Sequence, residues 1–191
     1  TFLGFLKPSG GAASVNGTDA TQAPALVRQS IAYLPETASL YEHLNARENL
    51  TYLTRLADMR VSPDDIDAAL QRVSLQAQAR DEKLQHYSKG MRQKVAIALA
   101  LLRDTQILLL DAPTSGLDPV AIDEFHDLIR GLSEQGKTVL MVTHDVYGAC
   151  QVADQIGLLR HGSLVADFSA SAGTRIDTEV VHRAFSQRES A

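Results

Sequence analysis

The 191 residues carry 18 basic and 23 acidic side chains, a formal charge of −5, with 45% apolar residues, 5% aromatics and no Trp. That length suits one domain, or one domain with a subdomain, and the lone cysteine, Cys150, excludes an intramolecular disulfide framework. The longest apolar run, Val95 to Leu102, falls far short of the ~18 residues a membrane span needs, and the acidic balance argues against sequence-independent binding to nucleic acid.

The chain starts at Thr1 rather than Met, and no signal-peptide pattern follows. Phe2, Leu3, Phe5 and Leu6 run into Lys7-Pro8-Ser9-Gly10-Gly11, a helix stop, so the sequence is expected to open inside a helix already under way. Ile31-Ala32-Tyr33-Leu34 is a short strand ended by Pro35. Asn45 and Glu48 have capping-box spacing, with Leu50, Leu53 and Leu56 as the apolar face behind them. Ser62-Pro63-Asp64-Asp65 starts another helix, with a cap, a proline in the first turn and acids at the positive end of the dipole. Ile66, Ala69, Leu70 and Val73 form its buried face. Residues 40–86 thus read as a helical subdomain inserted in an α/β core made of 1–39 and 87–170.

Val95 to Leu102 is apolar on every side, which predicts a buried helix. Ile107 to Leu110 and Val139 to Val142 are continuous apolar runs, the mark of strands covered on both faces of a parallel sheet. Between them Ile122, Phe125, Leu128, Ile129 and Leu132 keep helical spacing, and Gly136 terminates that helix. Helix, strand, helix, strand is a doubly wound unit. Ile156 to Arg160 and Ser163 to Ala166 predict a hairpin turning at His161-Gly162. Residues 167–191 are polar with weak periodicity, and 171–191 read as a C-terminal tail.

Gly131-Leu-Ser-Glu-Gln-Gly136-Lys137-Thr138 matches the phosphate-loop expression letter for letter. That loop needs a strand before it and a helix after it, so that its N–H groups converge on phosphate with the helix dipole behind them. Here a helix precedes and a strand follows. Gly136 is better explained as a C-cap and Lys137 as a solvated turn residue.

Three constellations carry chemistry. Tyr87-Ser88-Lys89-Gly90-Met91-Arg92-Gln93 opens the buried helix with N–H groups suited to an anion. Asp111 ends one strand, followed by Ala112-Pro113-Thr114-Ser115-Gly116-Leu117-Asp118-Pro119, and His144 lies just past another. Asp111 and His144 fall on the carboxyl edge of the sheet, where open α/β sheets bind ligands, and a carboxylate there can hold Mg²⁺ through water. Singly, each has a plain structural explanation: a cap, a turn aspartate, a histidine on a carbonyl. Their order and spacing together favour function.

Together they resemble the nucleotide-binding domain of ATP-binding-cassette (ABC) transporters over almost the whole chain. Ser88-Lys89-Gly90-Met91-Arg92-Gln93 resembles the signature motif in an exporter-type version, Ile107 to Asp111 the Walker B strand, Ser115-Gly116-Leu117-Asp118 the D-loop, and His144 the switch histidine. Tyr33-Leu34-Pro35-Glu36 is similar to the Q-loop segment, with Glu36 where glutamine is commonest. The run from Thr1 to Pro119 resembles cassettes that serve ABC-2-type permeases. Within these, the Tyr-Leu-Pro-Glu and Tyr-Ser-Lys-Gly-Met-Arg-Gln stretches are similar to the ATPase of nitrous oxide reductase copper-site assembly. Cys150 and the six histidines show no metal-ligand spacing, so copper would not bind this chain.

The resemblance implies a P-loop NTPase-like parallel sheet flanked by helices, with ATP and Mg²⁺ as cofactors. It implies a head-to-tail dimer with a second cassette, and a membrane permease that holds the chain on the cytoplasmic face of the membrane. Ser88, Lys89, Gly90, Met91, Gln93, Ser115, Gly116 and Asp118 would serve nucleotide pockets between the two cassettes. Asp111 would hold Mg²⁺ by way of water, Glu36 would sense it, and His144 would contact the γ-phosphate. Two departures stand out. The Walker A loop, with several strands, would precede Thr1, so the chain is expected to be a cassette fragment with weak ATP affinity of its own. Ala112 occupies the position of the glutamate that polarises attacking water, which implies an ATPase with impaired turnover or a non-hydrolysing regulatory cassette. A cassette acting on DNA or ribosomes is disfavoured by the acidic balance, the absence of a second cassette and the exporter-like signature.

Overall fold

The computed structural model describes residues 1–171 and 174–186. Its centre is a parallel sheet in the order β3 (Ile31–Leu34), β4 (Ile107–Asp111), β5 (Thr138–Val142), so the three strands end on one edge. Alternation sorts the side chains by face. Ala32, Leu34, Leu108 and Leu110 lie in the main apolar cluster. Ile31, Ile107 and Leu109 face a smaller cluster formed with the hairpin β1 (Ser14–Val15) and β2 (Thr18–Asp19) and the helix α1 (Pro24–Gln29). Asn16 and Gly17 turn that hairpin with φ of 48° and 76°, the type I′ geometry for which Asn-Gly is suited.

The expectation that β5 is covered on both faces is overturned. Val139 and Met141 pack against the main cluster, but Leu140 and Val142 are 48% and 63% exposed. The small layer covers the β3–β4 side of the sheet, and β5 has no strand on its far side among the described residues. Residues 2–6 also differ from the helix end expected there. They form turns, with Gly4 at φ 75° and its N–H on the Thr1 carbonyl.

The helices follow their caps. α2 (Ala46–Leu56) and α3 (Pro63–Arg72) each start in a complete capping box, Asn45 with Glu48 and Ser62 with Asp65, worth about 1 kcal/mol apiece. α3 buries Ile66, Ala69 and Leu70, and its C-cap Val73 is buried too. The expected face of α2 is rotated. Ala46, Asn49, Leu50 and Thr54 are buried while Leu56 is 70% exposed, because the helix turns its i, i+4, i+8 row towards its neighbours. Two 3₁₀ turns, Ala77–Asp81 and Leu84–His86, lead into α4 (Lys89–Leu102), buried on nearly all sides from Val95 to Ala100. One cluster runs from β3 and β4 across α4 into α2 and α3, so residues 40–86 share the core of the sheet. Arg47 ties this region together by pairing with Asp67 at 2.8 Å and Asp81 at 2.5 Å.

α5 (Pro119–Glu134) buries Phe125, Ile129 and Leu132 as its spacing requires. It ends at Gly136, φ 79°, whose N–H donates to the Ser133 carbonyl. Besides α1, two further helices escape the sequence pattern. α6 (Val146–Val152) is capped by Asp145. α7 (Thr178–Ser186) has Asp177 Oδ1 accepting from the Glu179 and Val180 amides, and within it Val181 is the buried side chain, so its apolar face is narrow. Between them β6 (Gln155–Arg160) and β7 (Ser163–Ser169) form the expected hairpin, extended at both ends, with His161 and Gly162 at φ 46° and 80°. The end of the tail, 187–191, lies outside the described residues. No described helix is long and apolar enough to cross a membrane.

Candidate nucleotide site

Because the sheet is parallel, Glu36, Asp111 and His144 emerge on its carboxyl edge. Asp111 is half-buried and lies in register with Val142 of β5. His144 and Glu36 are exposed, each two residues beyond its strand. Ala112 turns away from the sheet with φ 41°, and its N–H donates to the Val142 carbonyl at 2.8 Å. That bond joins the loop after β4 to the strand leading to His144. The loop then closes on itself, Ser115 N–H to the Ala112 carbonyl and Leu117 N–H to that of Thr114. It ends at Asp118, exposed, whose Oδ1 caps α5 by accepting from Ala121 N–H at 2.9 Å.

The start of α4 packs against this loop. Ser88 is exposed and caps the helix, its Oγ accepting from Met91 N–H at 3.2 Å. Lys89 Nζ donates to Ser115 Oγ at 2.9 Å. A Cβ on Gly90 would lie 3.3 Å from the Gly116 carbonyl oxygen, so a larger residue would push the loop outward. Met91 is partly buried against the main cluster. Gln93, expected to face nucleotide, is instead 4% exposed, with Nε2 donating to the Pro113 carbonyl at 3.1 Å. It shares a helix row with the buried Ala96, Ile97 and Ala100, and that row points inward. Gln93 is an internal strut.

Among the described residues no group of three or more His, Cys, Asp or Glu side chains could hold a metal ion. Mg²⁺ asks for less when phosphates and water fill most of its shell, and Asp111 on an open sheet edge, with Glu36 on the same edge, fits that demand.

The phosphate-loop look-alike lies elsewhere. Gly131 to Thr138 joins the end of α5 to the beginning of β5, at the amino edge of the sheet. Lys137 is not solvated as the sequence suggested: its Nζ donates to Asp104 Oδ1 at 2.8 Å and to the Thr105 carbonyl at 2.9 Å. Hydrogen bonding and charge from Lys137 hold the Asp104 carboxyl below its usual range.

His126, for which the sequence offers no signal, lies buried in α5 against Gly148 and the Asp145 cap of α6. A Cβ on Gly148 would sit 2.7 Å from His126 Nε2 and would also strike the Asp145 carboxylate, so the ring, the cap and α6 meet at one point. Burial lowers the His126 pKa from its ordinary 6.5, against the opposing pull of Asp145. The unfolded chain therefore takes up this proton first. The stability His126 contributes is complete above pH 6.5 and is lost as the pH falls below it, towards the lowered folded value. Urea midpoints at pH 7.5 and 5.5 are expected to differ less in His126→Leu than in the unsubstituted protein. Equal differences would assign the acid sensitivity to other groups.

In the helical region, Asn49 is fully buried and clamps Tyr41, accepting its N–H at 2.8 Å and donating to its carbonyl at 3.0 Å. The rings of Tyr41 and Tyr52 meet edge to face at 5.1 Å, both exposed, with Leu56 exposed on the same helix as Tyr52.

The family model described as ABC transporter matches residues 1–115, from the first turn through Asp111 to Ser115. The chain belongs to the ABC transporter family. This cassette is 35% identical over 97% of its length to the daunorubicin/doxorubicin resistance ATP-binding protein DrrA of Streptomyces peucetius, covering 58% of that protein. It is 33% identical over 89% of its length to the Nod factor export ATP-binding protein I of Rhizobium sp. (strain N33), covering 56% of it. The cassette thus spans little more than half the length of these curated relatives. Among solved structures it is similar to the ATP-binding cassette MJ0796 in a dimeric post-hydrolysis state bound to ADP and Pi. That likeness has a TM-score of 0.77 at 25% identity, over 87% of this chain and 76% of that one. The α/β fold expected from the sequence is therefore the fold of ABC cassettes.

Proposed function

We propose that the protein is the nucleotide-binding subunit of an ATP-driven exporter, working as a head-to-tail pair of cassettes on a separate membrane permease at the cytoplasmic face of the membrane. The observation that carries this reading is the emergence of Glu36, Asp111 and His144 on one sheet edge, with the start of α4, where Ser88 and Lys89 are exposed, held against the loop that follows Asp111. In such a pair Asp111, with Glu36 near it, would hold Mg²⁺ through water, and His144 would contact the γ-phosphate. Ser88 and Gly90, with the Lys89 backbone N–H between them, would face the nucleotide bound by the other cassette, and Ser115, Gly116 and Asp118 would lie along the shared interface. Bound Mg²⁺ would supply charge neutralisation for the phosphates.

Residues 40–86 would form the arm that meets the permease. The segment Leu40 to Leu44 and the neighbouring Tyr52 present an exposed aromatic pair fixed by Asn49. Export as the direction of transport is supported by the exporter-like Ser-Lys-Gly-Met-Arg-Gln turn and by a relative named for Nod factor export. A second reading, a non-hydrolysing regulatory cassette, is favoured by Ala112, whose methyl group cannot accept a proton. Both readings require ATP-driven pairing. Sedimentation of the intact protein is expected to show monomer without nucleotide and dimer with Mg²⁺-ATP, and Asp111→Asn is expected to abolish the shift. A monomer unmoved by saturating Mg²⁺-ATP would overturn both.

A further inference from the structure

The two halves of this cassette's chemistry are physically joined. Gln93 reaches the Pro113 carbonyl inside the core. Outside it, the Lys89 stem lies across Gly116, so close that a Cβ on Gly116 would fall 3.0 Å from Lys89 Cγ, and the ammonium ends on Ser115 Oγ. Gly116 is held at φ 81°, where an L residue would be strained. Gly90 closes the same gap from the helix side. Beyond the loop, the Ala112 N–H on the Val142 carbonyl continues the connection to the strand before His144. A contiguous path of hydrogen bonds and packed stems therefore runs from Ser88 at the start of α4 to the sheet edge bearing Asp111 and His144.

We propose that Lys89 is a positioning residue that, through Ser115, latches the Ser88–Gly90 turn to the loop after Asp111, so that the pocket a cassette completes in trans and the pocket it builds in cis are set together. This rests on the composite-pocket reading above. Lys89 then acts by fixing a spacing rather than by binding phosphate, and Gln93 supplies the buried fulcrum about which the latch closes. Breaking the latch loosens the Ser115–Gly116 end of the loop, with Gln93 still holding Pro113, and leaves both the Ser88 cap and the Asp111 carboxylate intact.

A double-mutant cycle on ATP-driven dimerisation of the intact protein tests this, using Lys89→Met, Ser115→Ala, the pair together, and Lys89→Arg. Methionine keeps an apolar stem over Gly116 and removes the donor, whereas arginine keeps a donor. Each single loss is expected to raise the Mg²⁺-ATP concentration at half-dimerisation about fivefold, in line with an exposed charge-assisted bond. The double variant is expected to be no worse than either single one, and arginine to restore the value to within about twofold. Thermal midpoints without nucleotide are expected to stay together across the series, which separates a latch from general destabilisation. Additive losses, or a defect in Lys89→Met with none in Ser115→Ala, would overturn the latch and make Lys89 a direct nucleotide contact. Failure of the composite-pocket reading looks different, because then the unsubstituted protein would not dimerise with Mg²⁺-ATP.

Discussion

Replacing Ala112 by glutamate is expected to raise ATP turnover of the intact cassette by about 10²- to 10⁴-fold, the range a positioned general base contributes. The position is prepared for it. Ala112 already holds an L residue at φ 41°, so glutamate would add little backbone strain to what alanine bears. The residue is half-buried beside Asp111, and its N–H bond to Val142 involves no side chain. Phosphate release under saturating Mg²⁺-ATP measures the gain, and Ala112→Gln supplies the control, since an amide fills the space and accepts no proton from water. Equal rates for the alanine and glutamate proteins would place the base elsewhere. Glu36, on the same edge, would be the first candidate, to be removed as Glu36→Gln.

Leu84→Ala is expected to destabilise the fold by about 2–5 kcal/mol, the cost of removing a buried leucine and leaving a cavity. Leu84 is fully buried, and its backbone works on both sides: its N–H donates to the Leu44 carbonyl and its carbonyl accepts from Arg92 Nε at 3.2 Å. The side chain thus anchors the point where the 40–44 segment, the second 3₁₀ turn and the first turn of α4 meet. Urea denaturation measures the loss. Leu56→Ala on the open face of α2 is the control, expected to stay within about 0.5 kcal/mol, as for surface substitutions in general. A small loss at Leu84 would mean that the cavity collapses and that this junction is plastic.

What the sequence discloses, and what it withholds, follows from the range of the forces concerned. The capping boxes at Asn45 and Ser62, the Pro119 helix start and the His161-Gly162 turn are local, complete within four residues, and legible for that reason. So is the shared edge of Asp111 and His144, since apolar strands separated by a helix of α5's length pair in parallel. The burial of β5 is not local. The run Val139 to Val142 is as apolar as Ile107 to Leu110, and it is the reach of the small layer, over β3 and β4 only, that leaves Leu140 and Val142 in contact with water. The rotation of α2 is set by the neighbours that Leu50 and Asn49 find, which periodicity does not encode. Lys137 finds Asp104 thirty-three positions away and Gln93 finds Pro113 twenty away. Both partners become visible only once strands and helices have been stacked. Asn16-Gly17 and Asp177 are local signals of the same kind, for they mark the β1–β2 turn and the start of α7.

The free side of β5 has a bearing on how these residues behave by themselves. Among the described residues one flank of β5 has no partner strand, and leucine and valine on it face water, which makes it a template for strand addition. Self-association by that route would grow with protein concentration and would ignore nucleotide. The proposed head-to-tail pair, in contrast, would dissolve when ATP is withdrawn. Two kinds of oligomer can therefore coexist in one sample, and reversibility on nucleotide removal, rather than mass, tells them apart.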